Sequence, residues 1–276
     1  MPLPTDFQFS QSSLQDYLDC ARRFELRYIQ KQRWPAVQTE PVMEFERHMQ
    51  IGTRFHRLVQ QHVLGIPDDV LEAGIDDPDL LKWWQVFLHH APLKELPGLL
   101  LPEYRLAAIF EGQRLVAQYD LLSVHAGKSA VILDWKTSSR RTLSSYLQER
   151  IQSRLYPFLL VLAGERLNNG VPFKPEQVQM RYWFPSAPDR PEIIDYTQAR
   201  FEEDGEMLRS LIAKIENTHD GLFLLTADER KCKFCEYRSL CKRQVKAGDW
   251  KDAEDTDFAT PDDTPLNFDQ IGDIIF

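Results

Sequence analysis

The sequence predicts an α/β or α+β fold, in which a central sheet is flanked by helices. Two amphipathic helical segments come first, and a run of three alternating strands follows them in the middle of the chain. The last third returns to helices separated by short strands. With 276 residues, 43% of them hydrophobic, the chain is long enough to bury a substantial core.

Hydrophobic periodicity and turn residues locate each element. Apolar residues at three- and four-residue spacing predict helices, and alternating runs between glycine turns predict strands. The predicted helices cover about Ser10–Ile29, Phe45–Leu64, Leu80–His90, Ser144–Ala163 and Gln198–Asn217. The predicted strands cover Leu99–Phe110, Arg114–Val124, Ala130–Thr137, Val178–Phe184 and Ile193–Tyr196. Residues 65–78, rich in Gly, Pro and Asp, are expected to form a loop.

Charge divides the chain into a folded part and a tail. Residues 249–276 carry nine acidic residues against one lysine, so we expect a disordered acidic tail. Because the whole chain has a formal charge of −9, residues 1–248 are close to neutral and can carry basic patches. We expect 1–248 to form one domain, with a helical part at about 10–95, a core at about 99–218 and a cysteine knuckle at 231–243.

The sequence favours a cytoplasmic protein. The first residues lack the basic region and apolar run of a secretory signal. The longest apolar stretch, from Phe158 to Ala163, is too short to span a bilayer.

The four cysteines are divided between the two ends of the chain. Cys232, Cys235 and Cys241 lie close together in sequence, and Cys20 is the fourth. Two residues between Cys232 and Cys235 let one tight turn point both sulfurs at the same ion, and four thiols suit a tetrahedral four-sulfur site. A metal centre here would join the C-terminal region to the N-terminal helix. Four free buried thiols, or two disulfides, are the alternatives, and a reducing cytoplasm disfavours disulfides.

Two aspartates are expected to face each other across the second hairpin of the meander. An antiparallel pairing centred on Gly127 sets Asp120 directly opposite Asp134, with Cβ atoms roughly 4.5–5.5 Å apart. Carboxylates this close repel each other, and a divalent cation or a shared proton would relieve the repulsion. Strand alternation puts Lys136 on the same face as Asp134 and the Trp135 side chain on the other face.

The step Asp134-Trp135-Lys136 supplies hard oxygen ligands suited to Mg²⁺ or Mn²⁺, including the Trp135 carbonyl, and an ammonium able to orient water or phosphate. A turn centred on Gly112 would place Glu103 next to Asp120 on the neighbouring strand. An ordinary solvated strand end is the alternative, because an Asp-x-Lys step is by itself a weak signal.

Six pieces of the sequence, in order, carry a resemblance to a known family. They are the segment from Phe9 to Phe24, Gly52-Thr-Arg-Phe-His56, Asp120, Asp134-Trp135-Lys136-Thr137, Gln152-Ser-Arg-Leu-Tyr156 and the cysteine pattern. Together they resemble the RecB-like branch of the PD-(D/E)xK nucleases, from about residue 10 to 241. The cysteine pattern is similar to that of the iron–sulfur subset, which includes the CRISPR adaptation nucleases and the AddB nuclease domain. The resemblance implies a restriction-endonuclease-like mixed sheet flanked by helices.

The resemblance also implies a metal-dependent DNA nuclease, expected to be an exonuclease in DNA repair, recombination or CRISPR adaptation. The residues implied to bind the Mg²⁺ or Mn²⁺ ion are His56, Asp120, Asp134 and, through its carbonyl, Trp135. Lys136 would position or activate the attacking water, and Gln152 and Tyr156 would contact DNA and steady the site. The residues implied to hold a [4Fe–4S] cluster are Cys20, Cys232, Cys235 and Cys241. Spacing alone allows zinc equally well at these cysteines.

Two other functions compete with a nuclease. One is a catalytically silent DNA-binding or assembly subunit of a helicase–nuclease or related complex, which the intact His56, Asp120, Asp134 and Lys136 disfavour. The other is a zinc-stabilised interaction protein. DNA that is single-stranded or has free ends is the expected substrate, and a helicase or other repair or CRISPR protein is a possible partner. The arginines expected to contact backbone phosphates are Arg22, Arg23, Arg140, Arg141, Arg150 and Arg154.

Overall fold

The computed structural model describes residues 3–32, 40–138, 144–218, 222–243, 245–246 and 248, and within 40–45 only the backbone. The predicted acidic tail at 249–276 and the two arginines Arg140 and Arg141 lie outside the described residues. Within those ranges, the helices are all too short or too polar to cross a membrane.

The described residues form a mixed sheet with helices before, between and after its strands. The helices are α1 (Gln11–Asp19), α2 (Ala21–Phe24), α3 (Glu40–Val63), α4 (Asp68–Ala73), α5 (Pro78–His90), α6 (Ser144–Glu149), α7 (Ile151–Ala163) and α8 (Gln198–Glu216). The strands are β1 (Gln8–Phe9), β2 (Leu99–Phe110), β3 (Gln113–His125), β4 (Ser129–Trp135), β5 (Val178–Trp183) and β6 (Glu192–Asp195). This confirms the predicted fold class, a central mixed sheet flanked by helices.

Strand β3 organises the sheet. It pairs antiparallel with β2 along its length, and its other edge pairs first with the short parallel strand β1 and then with antiparallel β4. Strand β4 continues to parallel β5, which pairs with antiparallel β6. Helices α6 and α7 make the crossover between β4 and β5, as a parallel connection requires.

Helices cover both faces of the sheet. Helices α1, α7 and α8 pack on one face over a core that includes Tyr119, Ile132 and Leu155. Helices α3, α4 and α5 pack on the other face, over a smaller core that includes Phe55 and Trp135. The meander strands therefore run between two apolar layers, and polar side chains at their ends are partly shielded from water.

The predicted helix at Ser10–Ile29 is interrupted at Cys20. Its backbone is extended there, with φ −164° and ψ 107°, so that α1 ends and α2 begins at the same residue. The Cys20 carbonyl accepts from the N–H groups of Arg23 and Phe24 and so starts the second helix. A π-helical turn, Glu25–Ile29, completes the segment. Apolar spacing continues across the break, which is why periodicity alone missed it.

Two other predicted elements differ in the structure. The helix predicted at Ser144–Ala163 divides at Arg150, whose ψ of 143° is extended and separates α6 from α7. The segment at 65–78, predicted to be a loop, contains the short helix α4. Two aspartates, Asp68 and Asp69, lie in its first turn, where negative charge stabilises a helix despite the surrounding loop-forming residues.

The first hairpin turns over two residues, and this corrects the predicted register. Glu111 and Gly112 both have positive φ, 52° and 76°, as a tight two-residue turn requires. The turn centre therefore lies between them rather than on Gly112, and Pro102 pairs with Leu121 while Tyr104 pairs with Tyr119. The second hairpin follows the predicted register, since Leu121 pairs with Leu133, a pairing centred on residue 127.

The corrected register brings Glu103 opposite Asp120, not opposite Leu121. Glu103 has a left-handed backbone with φ 52°. At the same level β3 changes which of its residues face the α7 layer, because Tyr119 and Leu122 both enter that core. A left-handed backbone at a non-glycine residue costs about 1–3 kcal/mol, and such strained residues tend to cluster at functional sites.

Helix α3 approaches the end of β4 through Gly52. A Cβ atom at Gly52 would lie 2.9 Å from the Thr137 hydroxyl oxygen, closer than ordinary packing permits. The missing side chain lets the helix lie against the residues that follow β4. His56, one turn further along α3, is thereby brought to the ends of the meander strands.

Candidate metal-dependent catalytic site

Three side chains from three elements converge beside the meander. His56 on α3, Glu103 on β2 and Asp120 on β3 each offer a ligand atom, and these atoms lie within 4.8 Å of one another. His56 Nδ1 is 3.4 Å from an Asp120 carboxylate oxygen. One imidazole nitrogen and two carboxylate oxygens are a donor set that fits a divalent cation.

Glu103 is held in this group by a second pair of residues on the exposed side of the hairpin. The Gln118 side-chain amide donates to the Glu103 carboxylate, and Arg105 Nε donates to Gln118 Oε1 at 2.8 Å. Sequence reasoning missed both supporting residues. The pairing of β2 with β3 would have identified them, because Arg105 lies opposite Gln118. The predicted register was wrong by one residue and did not show this pair.

A second, buried group lies next to the first. Lys136 Nζ is 3.1 Å from Asp134 Oδ2 and donates to Gln152 Oε1 at 2.9 Å. Gln152 Nε2 in turn donates to Asp134 Oδ1 at 2.5 Å, which closes a three-residue ring of contacts. Asp134 and Lys136 are 2% and 7% exposed, so these charges interact with little screening by water.

The backbone of Trp135 joins the two groups. Its N–H donates to Asp120 Oδ2 at 2.9 Å, while the N–H of Lys136 donates to the Trp183 carbonyl at 2.9 Å. The Trp135 ring packs on the opposite face of the sheet against Phe87 and Trp183, as strand alternation predicts. The metal role expected for its carbonyl stays a prediction.

Asp120 and Asp134 each lie beside a basic side chain, His56 and Lys136 respectively. Burial alone would lower the pKa of His56, but the negative charges of Asp120, Asp134 and Glu103 raise it to about 9. Burial would raise the pKa of Asp120, but His56, the Trp135 N–H and Lys136 lower it below its ordinary value. Burial, followed by the charge of Asp120, raises the pKa of Glu103. The carboxylates thus attract positive charge, which His56 and Lys136 supply, and the bound divalent ion expected from sequence stays a prediction.

The predicted site residues separate into these two groups. His56 and Asp120 form the more exposed group together with Glu103, a residue that sequence analysis placed only near Asp120. Asp134 faces Lys136 and Gln152 instead. Gln152 is 5% exposed and contacts both charged partners, so its position in the buried group is well defined.

Tyr156 lies one turn beyond Gln152 on α7, within the core. It is 6% exposed, and its ring lies 5.1 Å from the Tyr119 ring in an edge-to-face arrangement. Its backbone carbonyl accepts from the Tyr119 hydroxyl at 3.1 Å. The expected DNA contact of Tyr156 stays a prediction.

Two of the arginines expected to bind phosphate form ion pairs with aspartates of the chain. Arg23 pairs with Asp16 at 2.8 Å and with Asp19 at 2.9 Å. Arg154 pairs with Asp204 at 3.0 Å, and Asp204 is fully buried. If these arginines bound phosphate instead, the buried carboxylates would lose their ion-pair partners. The contacts therefore favour a structural role.

The three C-terminal cysteines lie against the helices that flank Cys20. Lys231 Nζ is 3.0 Å from Asp19, and Glu236 accepts from Arg27 Nε at 3.1 Å. The Tyr237 hydroxyl donates to the Gln32 carbonyl at 2.9 Å. The two ends of the chain are therefore joined by ion pairs and hydrogen bonds around the cysteines.

The three cysteines of the knuckle have raised pKa values. Burial raises the pKa of Cys232, of Cys241 and of Cys235, the last to about 11, and a negative charge on Cys20 raises all three further. A bound cation would reverse this effect, because metal ligation requires thiolates. Among the described residues, however, the groups with ligand atoms within 4.8 Å of one another are limited to His56, Glu103 and Asp120, so the metal centre expected at the four cysteines stays a prediction.

A family model of the PD-(D/E)XK nuclease superfamily matches residues 8–242. The chain belongs to this superfamily. It is accordingly a nuclease, a hydrolase that acts on nucleic acid, and members of the superfamily usually use divalent metals. The match includes both groups of site residues and all four cysteines.

Solved structures share the fold at low sequence identity. A candidate exonuclease from Eubacterium rectale is 12% identical, with a TM-score of 0.52 over 88% of this chain and 91% of its own. The protein SSO0001 is also 12% identical, with a TM-score of 0.39 over 87% of each chain, a likeness too weak to support an argument. No curated protein matches the chain.

The raised pKa of His56 predicts how pH affects the metal-free protein. A histidine whose folded pKa is about 9, against 6.5 for the free side chain, contributes stability that is complete below pH 6.5 and lost as pH rises through 9. In EDTA, the Tm of the wild type is expected to fall between pH 7 and 9.5 by more than that of His56→Gln. Equal declines in the two proteins would contradict the ionic contact with Asp120.

Proposed function

We propose that the protein is a Mg²⁺- or Mn²⁺-dependent deoxyribonuclease that digests DNA from free ends. The observation that carries the proposal is the convergence of His56, Glu103 and Asp120 beside a buried lysine–aspartate pair. Superfamily membership supports cleavage of nucleic acid, and the name of the Eubacterium rectale structure supports exonuclease action.

The divalent ion is proposed to bind His56, Asp120, Glu103 and Asp134, with the Trp135 carbonyl as a further oxygen ligand. When bound, the ion would polarise a phosphate oxygen and lower the pKa of a coordinated water. Asp134 is the ligand that must be shared, because its carboxylate also faces Lys136 and Gln152. Glu103 extends the set expected from sequence, supported by its place in the three-residue group.

Lys136 is proposed to orient the attacking water and to offset negative charge on the phosphate. In hydrolysis, the water oxygen forms a bond to phosphorus while one phosphorus–oxygen ester bond breaks, leaving a phosphate on one end and a hydroxyl on the other. The contacts of Lys136 with Asp134 and Gln152 fix its ammonium before substrate binds. A preorganised charge of this kind stabilises a transition state without the cost of reorientation.

Cys20, Cys232, Cys235 and Cys241 are proposed to hold a [4Fe–4S] cluster with a structural role. The cysteine spacing and the contacts between the knuckle and α1 support a shared metal centre, and the family resemblance favours iron over zinc. The ion pairs that join the knuckle to α1 and to the π-helical turn Glu25–Ile29 also support residues 1–248 as one domain.

A catalytically silent DNA-binding subunit is the second candidate function. The complete set of His56, Asp120, Asp134 and Lys136 disfavours it, because a silent site does not require these charges to converge.

Replacing the buried lysine tests the chemistry. Lys136→Met is expected to reduce Mg²⁺-dependent cleavage of end-labelled single- and double-stranded DNA by roughly 100-fold or more, because it removes a preorganised charge at the reacting phosphate. Lys128→Met, at the exposed tip of the second hairpin, is the matched control and should retain activity. Full activity of a folded Lys136→Met protein would rule out the proposed role.

Replacing Glu103 tests the extended ligand set. Glu103→Gln keeps the size of the side chain but removes its charge, so Mn²⁺ affinity measured by titration calorimetry is expected to fall at least about 10-fold. Glu95→Gln changes an exposed glutamate in the segment before β2 and should leave the affinity unchanged. If both variants bind Mn²⁺ like the wild type, Glu103 is not a ligand.

The identity of the cysteine centre is tested by its colour and composition. Protein purified without oxygen is expected to be brown, to absorb in the blue part of the visible spectrum and to contain iron and acid-labile sulfide in equal amounts. Cys235→Ser should lose the absorbance and lower the Tm, since the link between the chain ends is weakened. A colourless wild type that contains one zinc would replace the iron assignment by a zinc site.

A further inference from the structure

Helix α7, which carries Gln152, donates a hydrogen bond from its first N–H group to a distant part of the chain. Its N-cap residue Arg150 makes no side-chain capping bond. Instead, the N–H of Ile151, the first residue of α7, donates to Gln15 Oε1 on α1 at 3.3 Å. The first N–H groups of a helix have no partner within the helix, so this contact fixes where α7 starts.

Gln15 is in turn oriented from the side of the cysteine knuckle. Its amide nitrogen Nε2 donates to Asp19 Oδ1 at 3.2 Å. The same Asp19 oxygen lies 3.0 Å from Lys231 Nζ, next to Cys232 in the knuckle. Asp19 also pairs with Arg23 at 2.9 Å, which limits its movement.

On the other side, the start of α7 leads directly to the buried charges. Gln152 follows Ile151 and is the residue that contacts both Lys136, at 2.9 Å, and Asp134, at 2.5 Å. A shift of the first turn of α7 would therefore move the amide that holds the lysine. A continuous series of polar contacts thus runs from Lys231 in the knuckle to Lys136.

We infer that Gln15 is a positioning residue for catalysis, through which the cysteine knuckle and α1 set the position of Gln152 and hence of Lys136. Gln15 itself touches no substrate. The inference rests on the proposed role of Lys136 in cleavage. The element that couples them is the first turn of α7, whose first N–H donates to Gln15.

A double-mutant cycle tests whether the effect passes through Gln152. Gln15→Ala is expected to lower kcat for single-stranded DNA about 3- to 10-fold, the range for one lost hydrogen bond, with KM changed less than about 2-fold. In a Gln152→Ala background the same change should alter kcat by less than about 2-fold. Equal fold-losses in both backgrounds would indicate general destabilisation and overturn the inference. Gln85→Ala, on the exposed side of α5, is the matched control.

Amide hydrogen exchange tests the contact independently of activity. Gln15→Ala should accelerate exchange at Ile151 by about 3- to 10-fold. Lys231→Met should also accelerate exchange at Ile151, whereas the exposed Lys233→Met should not.

The two tests separate the inference from the proposed function. Unchanged exchange at Ile151 in Gln15→Ala would overturn the inference whatever the protein cleaves. A wild type without nuclease activity, but with the expected exchange pattern, would overturn the proposed chemistry and leave the coupling between knuckle and α7 standing.

Discussion

The arrangement of the candidate site depends on balancing two neighbouring carboxylates at the ends of the central strands. Asp120 and Asp134 lie on neighbouring strands, each next to a residue of the Leu121–Leu133 pair, in a partly buried place where like charges repel strongly. The chain opposes this repulsion with a cation for each, His56 for Asp120 and Lys136 for Asp134. The helices that carry these cations or hold them in place must pack against both faces of the sheet. Packing on both faces of the sheet therefore also places the charges that balance these carboxylates.

Local patterns were sufficient to predict most of the elements that bring these charges together. The three strands of the meander and the register of the second hairpin followed from alternation and one glycine turn. What local patterns could not supply were the breaks at Cys20 and Arg150, where contacts with distant segments outweigh an unbroken apolar period. The first hairpin was wrong by one residue because a turn over Glu111 and Gly112 cannot be told from a longer turn by its glycine alone.

The candidate site was predictable to the extent that its residues lie in ordered motifs. His56, Asp120, Asp134, Lys136 and Gln152 were all identified from sequence, and the structure groups them at the ends of the meander strands. Glu103 was undervalued because its place in the group depends on a left-handed backbone and a corrected register, neither of which has a sequence signature. Gln15 was overlooked because its single contact with α7 crosses 136 positions of the chain.

The docking of the cysteine knuckle onto α1 and α2 has a consequence for synthesis. The knuckle lies near the end of the matched region, whereas the helix that it contacts lies near the beginning of that region and is therefore synthesised earlier. A nascent chain can form the meander early but cannot complete the support of α7 until the cysteines have emerged. By the proposed role of Gln15, a nascent chain that still lacks the knuckle would hold the start of α7 less firmly and would cleave nucleic acid more slowly.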